Sequence, residues 1–119
     1  MSNPQKRRGT AWESAGVAYL REALEALGVP FRDIRRVAQT GQRDIGDVHA
    51  DPFALEFKNE RTLRLAAYVD QAEREAEAAG LPYGVAVVKR RGKGAGQGYV
   101  VMSLATFARL LAHIRRGRG

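Results

Sequence analysis

The segment Phe53-Ala54-Leu55-Glu56-Phe57-Lys58 alternates between two kinds of side chain in the middle of this chain. Successive side chains of a β-strand point to opposite faces, so Phe53, Leu55 and Phe57 share one face and Ala54, Glu56 and Lys58 share the other. The dipeptide Asp51-Pro52 just before it indicates a hairpin turn. We therefore predict a strand that is entered through a hairpin and carries two charged groups on one face.

The segments on either side predict an α/β domain. Helical spacing of apolar residues predicts helices over 11–27 and 63–79 and a last helix after Ser103, while β-forming residues predict strands over 31–37, 44–49, 83–89 and 99–102. The order is helix, three strands, helix, two strands, helix, which favours a single domain with a central mixed sheet flanked by helices. In the second helix we expect the apolar stripe to leave Glu73, Arg74, Glu75 and Glu77 on the opposite side.

Composition narrows the classes of function. A chain of 119 residues, 45% of them hydrophobic, has the size of one domain, and the absence of cysteine excludes disulfides and thiolate zinc sites. Twenty Lys and Arg against 13 Asp and Glu give a net charge of +7, which favours a nucleic acid partner. We expect basic tails over 1–8 and 115–119 around a domain over 9–114. No apolar run approaches the roughly 20 residues of a membrane span, so we expect an intracellular protein without a membrane partner.

The charged face of the central strand predicts a metal site. A tight turn between two strands would bring Asp47 beside Glu56 and Lys58, and burying such groups is unfavourable unless they bind a cation or pair with one another. Mg²⁺, or Mn²⁺ in its place, suits the oxygens of Asp47, Glu56 and the main-chain carbonyl of Phe57. Lys58 could then orient a bound water or stabilise charge on a phosphate. The alternative is a Glu56–Lys58 ion pair on an exposed face, with Asp44 and Asp47 as ordinary turn residues.

A further carboxylate lies in the first helix. Glu13 precedes Val17 by four positions and shares a helical face with Val17 and Leu20, which predicts that it points inward. The alternative is a solvated carboxylate in the first turn of the helix, where the helix dipole favours negative charge.

These features together resemble a known nuclease superfamily. Glu13 in a first helix, Asp47 at a strand and Glu56-Phe57-Lys58 in the next strand, followed by a helix and a strand, resemble the core of the PD-(D/E)XK nucleases. Gly9-Thr10-Ala11-Trp12-Glu13, Arg36 before a Thr-Gly turn, the paired aspartates and Glu56-Phe57-Lys58-Asn59 are similar to archaeal-type and phage-encoded Holliday junction resolvases. The similarity extends over residues 9–111.

The resemblance implies a restriction-endonuclease-like core and a metal-dependent endonuclease that cuts four-way DNA junctions, leaving 5′-phosphate and 3′-hydroxyl ends. Asp47 and Glu56 would be metal ligands, Lys58 the catalytic lysine and Glu13 the carboxylate that completes the site. Because Asp47 lies closer to Glu56 than is usual in archaeal resolvases, Asp44 stays open as the alternative ligand. Two matched cuts imply a homodimer, and the family implies a phage-encoded protein in the host cytoplasm without a small-molecule substrate.

Six residues are expected to contact DNA. Cations that flank the predicted site can bind the phosphate backbone without reading the base sequence. They are Arg36, Lys89, Arg90, Arg91 and Lys93, with Thr40 in the predicted turn as the sixth. Lys89 can equally be a solubilising charge at a strand end. Flaps, nicks or free ends as substrates, and a basic DNA-binding module without catalysis, stay open as alternatives.

Overall fold

The computed structural model describes residues 4–38 and 47–118. Its helices are α1 (Pro4–Ala26), α2 (Leu65–Ala79) and α3 (Leu104–Arg118). Its strands are β1 (Arg35–Arg36), β2 (Val48–Ala50), β3 (Phe53–Lys58), β4 (Tyr83–Val88) and β5 (Tyr99–Val101), with a short 3₁₀ helix (Ala95–Gln97) before β5. The predicted order of helix, three strands, helix, two strands and helix is confirmed.

The five strands form one mixed sheet in the order β1-β2-β3-β4-β5. β3 and β4 run parallel, while the other neighbouring pairs are antiparallel. A parallel pair needs a crossover connection, and α2 provides it. The turn at Asp51-Pro52 joins β2 to β3, with Ala50 opposite Phe53, as the sequence predicted. The chain is therefore a single α/β domain built on a mixed sheet.

The two faces of β3 pack against different helices. Leu55 and Phe57 lie in the core beneath α1, where the Trp12 ring meets the Phe57 ring edge-on at 5.5 Å between centroids. The indole N–H of Trp12 donates to the main-chain oxygen of Val87 at 3.0 Å, which ties α1 to β4. On the other face Lys58 contacts Gln71 of α2. The predicted alternation along β3 is confirmed, and it separates an apolar core under α1 from a layer under α2 that contains Glu56 and Lys58 beside the apolar cluster of Tyr68, Ala86 and Val88.

Two glycines let the helices approach the sheet closely. A methyl group at Gly16 of α1 would collide with the ring of Phe57, and one at Gly84 of β4 would collide with the main-chain oxygen of Ala72 in α2. Interiors are packed too densely to absorb such overlap without movement of the backbone. Gly16 and Gly84 therefore set the distance of α1 and α2 from the sheet.

The termini are more helical than the sequence suggested. α1 begins at Pro4, so residues 4–8 of the expected basic tail continue the helix, and α3 extends to Arg118. Pro is well suited to the first turn of a helix, Gln, Lys and Arg are good helix formers, and arginines in a last turn complement the helix dipole. Within the part of the chain that is described, no helix has the length and hydropathy needed to cross a membrane.

The predicted strands near the hairpin are shorter than expected. β1 covers only Arg35–Arg36, and β2 begins at Val48. Thr40 and Asp44, predicted as a DNA contact and an alternative metal ligand, lie outside the described residues.

Candidate active site

Asp47 lies beside the middle of β3, as predicted. Its N–H donates to the main-chain oxygen of Leu55 at 3.2 Å, which continues the β2–β3 ladder by one residue. Because Val48 is paired with Leu55, this register sets Asp47 next to Glu56. The Asp47 carboxylate accepts a hydrogen bond from the main-chain N–H of Phe57 through Oδ2 at 2.9 Å. The main chain of Phe57, whose carbonyl was predicted to bind metal, therefore lies next to the Asp47 carboxylate.

Glu56 is buried in the layer between the sheet and α2. The residue is only 5% exposed, and its Oε1 atom lies 3.5 Å from Nζ of Lys58. Its buried Oε2 atom meets no hydrogen-bond donor among residues 4–38 and 47–118. The ion pair that the sequence offered as an alternative to a metal site does form, but on a buried face rather than an exposed one.

Gln71 of α2 links Lys58 to two carboxylates. Lys58 Nζ donates to Oε1 of Gln71 at 2.9 Å. Nε2 of Gln71 donates to Oε1 of Glu56 at 3.2 Å and to Oε1 of Glu75 at 2.8 Å. The Gln71 side chain is held in one orientation, because its amide nitrogen donates to two carboxylates while its amide oxygen accepts from Lys58. We call Glu56, Lys58, Gln71 and Glu75 the polar cluster.

Glu75 was wrongly predicted to lie on the solvent side of α2. It is 3% exposed, and the buried face of α2 consists of Tyr68, Ala72, Glu75 and Ala76. Leu65, the first residue of α2, is exposed although it is apolar. The spacing from Tyr68 to Ala72 and Glu75 is four and three residues, which is a helical face. A stripe that starts at Tyr68 includes Glu75, but the many alanines of this helix make other stripes equally acceptable from the sequence.

The surroundings of Glu56 favour its neutral form in the protein without metal. Burial, together with the nearby carboxyl groups of Glu75 and Asp47, raises the pKa of Glu56 from 4.5 to about 10, and Lys58 offsets only part of this rise. Desolvation and like charges both disfavour a carboxylate anion. The polar cluster thus has an excess of acidic groups that one lysine does not balance.

Glu13 lies at the other side of Asp47. Since α1 begins at Pro4, Glu13 is well inside the helix, and the alternative of a first-turn carboxylate is wrong. Its Oε1 atom lies 3.3 Å from both Nε and a terminal nitrogen of Arg36. Partial burial and the charge of Asp47 raise the pKa of Glu13, while Arg36 lowers it. Arg36, predicted as a DNA contact, therefore also pairs with a predicted site residue.

The carboxylates form a chain of neighbours rather than one compact set. Glu13 and Asp47 border one cleft, Asp47 acts electrostatically on Glu56, and Glu56 shares Gln71 with Glu75. Among the described residues, no three Asp, Glu, His or Cys side chains are grouped closely enough to hold a metal ion. Asp47 and Glu56 with a main-chain carbonyl are the oxygen ligands available next to Lys58, and a divalent cation there would offset the acidic excess.

Three clefts lie next to Glu13, Asp47 and Lys58. One of about 430 Å³ is bordered by Gly9, Glu13, Arg36 and Asp47, and one of about 820 Å³ by Gly9, Lys58, Asn59, Arg61 and Arg64. The third, of about 580 Å³, is bordered by Asn59, Lys89, Arg91 and Lys93. Gly9 and Asn59 are the shared walls, so the three clefts adjoin one another along the edge where β3 and β4 end.

The four predicted DNA contacts within residues 89–93 lie in two different places. Lys89, Arg91 and Lys93 border the same cleft, and Nζ of Lys89 lies 5.8 Å from the centre of the Trp12 ring. Arg90 turns elsewhere, because its guanidinium lies 5.8 Å from the ring centre of Tyr99 on β5. The structure brings three of these four cations to the clefts and leaves Arg90 on the β5 side.

Comparison with protein-family models, with curated proteins and with solved structures finds no match to this chain. A function has to be inferred from its residues and their arrangement.

Proposed function

We propose that this chain is a Mg²⁺-dependent endodeoxyribonuclease with a PD-(D/E)XK site that cuts four-way DNA junctions. The observation that carries the proposal is the buried Glu56 beside Asp47, with Lys58 on the same strand face. Lys58 borders the 820 Å³ cleft and Asp47 borders the 430 Å³ cleft. Acidic groups are buried together at functional sites more often than at purely structural ones, because a cation or substrate compensates for them.

The order and pairing of the elements support the same superfamily. A restriction-endonuclease-like core was expected from the resemblance, with the aspartate and the Glu-x-Lys motif on neighbouring strands. β2 and β3 are neighbours, and the connection from β3 through α2 to the parallel strand β4 follows the expected order. Folds host many chemistries, so the site residues carry more of the argument than the topology does.

Each residue of the site has a role in phosphodiester hydrolysis. Asp47 and Glu56 would hold Mg²⁺, which supplies an activated water and offsets negative charge on the phosphate. Lys58 donates hydrogen bonds to a phosphate oxygen as charge accumulates on it. Gln71 keeps Lys58 in position through the 2.9 Å hydrogen bond. Glu13 shares a cleft with Asp47 and extends the acidic surface toward the substrate.

The basic surroundings of the clefts favour DNA as the substrate. Lys89, Arg91 and Lys93 lie on one side of Asn59, and Lys58 and Arg61 lie on the other. Cations in this arrangement bind a phosphate backbone through charge and shape, which is the information that distinguishes a branched DNA from a linear one. One site per chain and two cuts per junction require a homodimer.

A non-catalytic DNA-binding module is the second candidate. The specific observation in its favour is that, within residues 4–38 and 47–118, no three potential ligand side chains are grouped around one point. In that case Glu56, Lys58, Gln71 and Glu75 would be a structural hydrogen-bonded network.

Cleavage assays separate these candidates. Labelled four-way junction, linear duplex and single-stranded DNA are incubated with the protein in Mg²⁺, Mn²⁺ or chelator, alongside Lys58→Ala, Glu56→Gln and the matched control Glu22→Gln, an exposed carboxylate on α1. Paired, metal-dependent cuts confined to the junction, lost in the two site variants and retained in the control, are the expected result. Cuts in every substrate would leave a nuclease without junction specificity. Binding without cuts would favour the module.

A further inference from the structure

The loop of residues 59–64, between β3 and α2, is held by one buried hydroxyl group. Tyr68 is 2% exposed, and its hydroxyl donates to Oε1 of Glu60 at 2.6 Å and lies 3.1 Å from the main-chain oxygen of Thr62. Glu60 also pairs with Arg64 at 3.3 Å. The residues on both sides of Arg61 are thus fixed by the same side chain, which restrains the backbone of Arg61 itself.

Tyr68 also connects this loop to the polar cluster. Nζ of Lys58 lies 5.4 Å from the centre of the Tyr68 ring, a distance typical of a cation–π contact. One buried tyrosine therefore contacts Lys58 with its ring and the loop with its hydroxyl. Tyr68 therefore helps to fix the position of the loop relative to Lys58.

Arg61 has charge available for a ligand. It is exposed, borders the 820 Å³ cleft together with Lys58, and makes no ion pair with any residue in the described part of the chain. The acidic residue of this cleft, Glu60, is already paired with Arg64. A guanidinium group matches the geometry of a phosphate, to which it can donate two parallel hydrogen bonds.

We propose that the loop of residues 59–64 is a phosphate-binding subsite, in which Arg61 binds the phosphodiester next to the one held at Lys58. The subsite rests on the proposed function in that its ligand is the same DNA strand. Asn59 borders both this cleft and the cleft of Arg91 and Lys93. The bound strand then runs from the Lys89–Lys93 segment past Lys58 to Arg61, with a cation at each end of the site.

The test is DNA binding by Arg61→Ala against a matched control, Arg74→Ala, an exposed arginine on α2 that borders none of the three clefts. Affinity for a labelled duplex and a labelled junction is measured in chelator, by fluorescence anisotropy, over a range of salt concentrations. Loss of one phosphate contact should reduce the steepness of log K against log salt by about 0.9. With equal affinities for wild type and variant at about 1 M salt, this difference corresponds to about eightfold weaker binding by the variant in about 0.1 M salt and about fourfold in about 0.2 M. The control should match the wild-type protein.

Tyr68→Phe keeps the ring beneath Lys58 and removes only the hydroxyl. It should weaken binding in the same direction as Arg61→Ala, by a smaller factor. Normal binding by this variant alongside weak binding by Arg61→Ala would overturn the anchoring role of Tyr68.

Equal affinities and salt slopes for Arg61→Ala and Arg74→Ala would overturn the subsite, whether or not the protein cleaves DNA. A salt-dependent loss in Arg61→Ala without any cleavage by the wild-type protein would overturn the nuclease and retain the subsite. A wild-type protein that does not bind DNA would overturn both.

Discussion

Replacing Glu56 by Gln should stabilise the metal-free protein at neutral and alkaline pH. Burial, with the neighbouring carboxyl groups, raises the pKa of Glu56 in the folded protein above its ordinary value of 4.5. Between the two pKa values the folded protein retains a proton that the unfolded chain releases. The stabilising contribution of this proton is fully present below the unfolded pKa and is lost as the pH rises through the folded pKa.

The magnitude follows from proton linkage. One proton difference between folded and unfolded states changes the free energy of unfolding by about 1.4 kcal/mol per pH unit, so wild type should lose at most about 2.7 kcal/mol between about pH 6 and pH 8. Gln has nearly the same size, and its amide oxygen can still accept the hydrogen bond from Nε2 of Gln71. The variant should therefore lack this part of the pH dependence.

Urea unfolding in chelator, followed through the fluorescence of the single, buried Trp12, measures the effect. Wild type, Glu56→Gln and the exposed control Glu22→Gln are compared between about pH 6 and pH 8. Only Glu56→Gln should make the free energy of unfolding less dependent on pH. Parallel curves for wild type and Glu56→Gln would show that Glu56 is not held neutral in the folded protein. Excess Mg²⁺ should stabilise wild type more at pH 8 than at pH 6, and should have a smaller effect on Glu56→Gln.

Two further predictions test the packing and the polar cluster. Gly84→Ala should destabilise the protein by about 1–3 kcal/mol, because its methyl group would collide with the main-chain oxygen of Ala72, whereas Gly94→Ala, with open space around it, should change the free energy of unfolding by less than about 0.5 kcal/mol in the same urea titration. Gln71→Met removes the acceptor that holds Lys58, and loss of a hydrogen bond to a charged group should slow single-turnover cleavage by roughly tenfold or more with DNA affinity unchanged. An equal loss of affinity would show instead that Gln71 acts on binding.

Much of the fold could be predicted because its signals are local. The alternation along Phe53–Lys58 gave the two faces of β3, and the turn at Asp51-Pro52 gave the β2–β3 pairing that sets Asp47 beside Glu56. These inferences need only the period of a strand and a hairpin of known length. The extent of α1 was missed because its first turns carry polar and basic residues without an apolar stripe, so hydrophobic periodicity gave no sign of a helix there.

The polar cluster was only half predictable. Several rotations of α2 give an acceptable apolar stripe, since Ala is abundant on most of its faces. The sheet selects the rotation that seats Ala72 and Ala76 against Gly84, and this buries Glu75 and brings Gln71 to Lys58. The rotation of α2 about its axis cannot be predicted from a local sequence pattern, because it depends on Gly84 of β4, which follows the helix in the chain.

Local patterns were enough to predict the order of the elements and the position of Asp47 beside Glu56, because each depends on residues close together in the chain. The basic charge of the chain follows from its composition. Three contacts come from tertiary packing instead: Glu75 lies beside Glu56, Arg36 pairs with Glu13, and Tyr68 joins the 59–64 loop to Lys58. These contacts depend on how helices rotate and settle on the sheet, and close packing of the whole core decides that rotation.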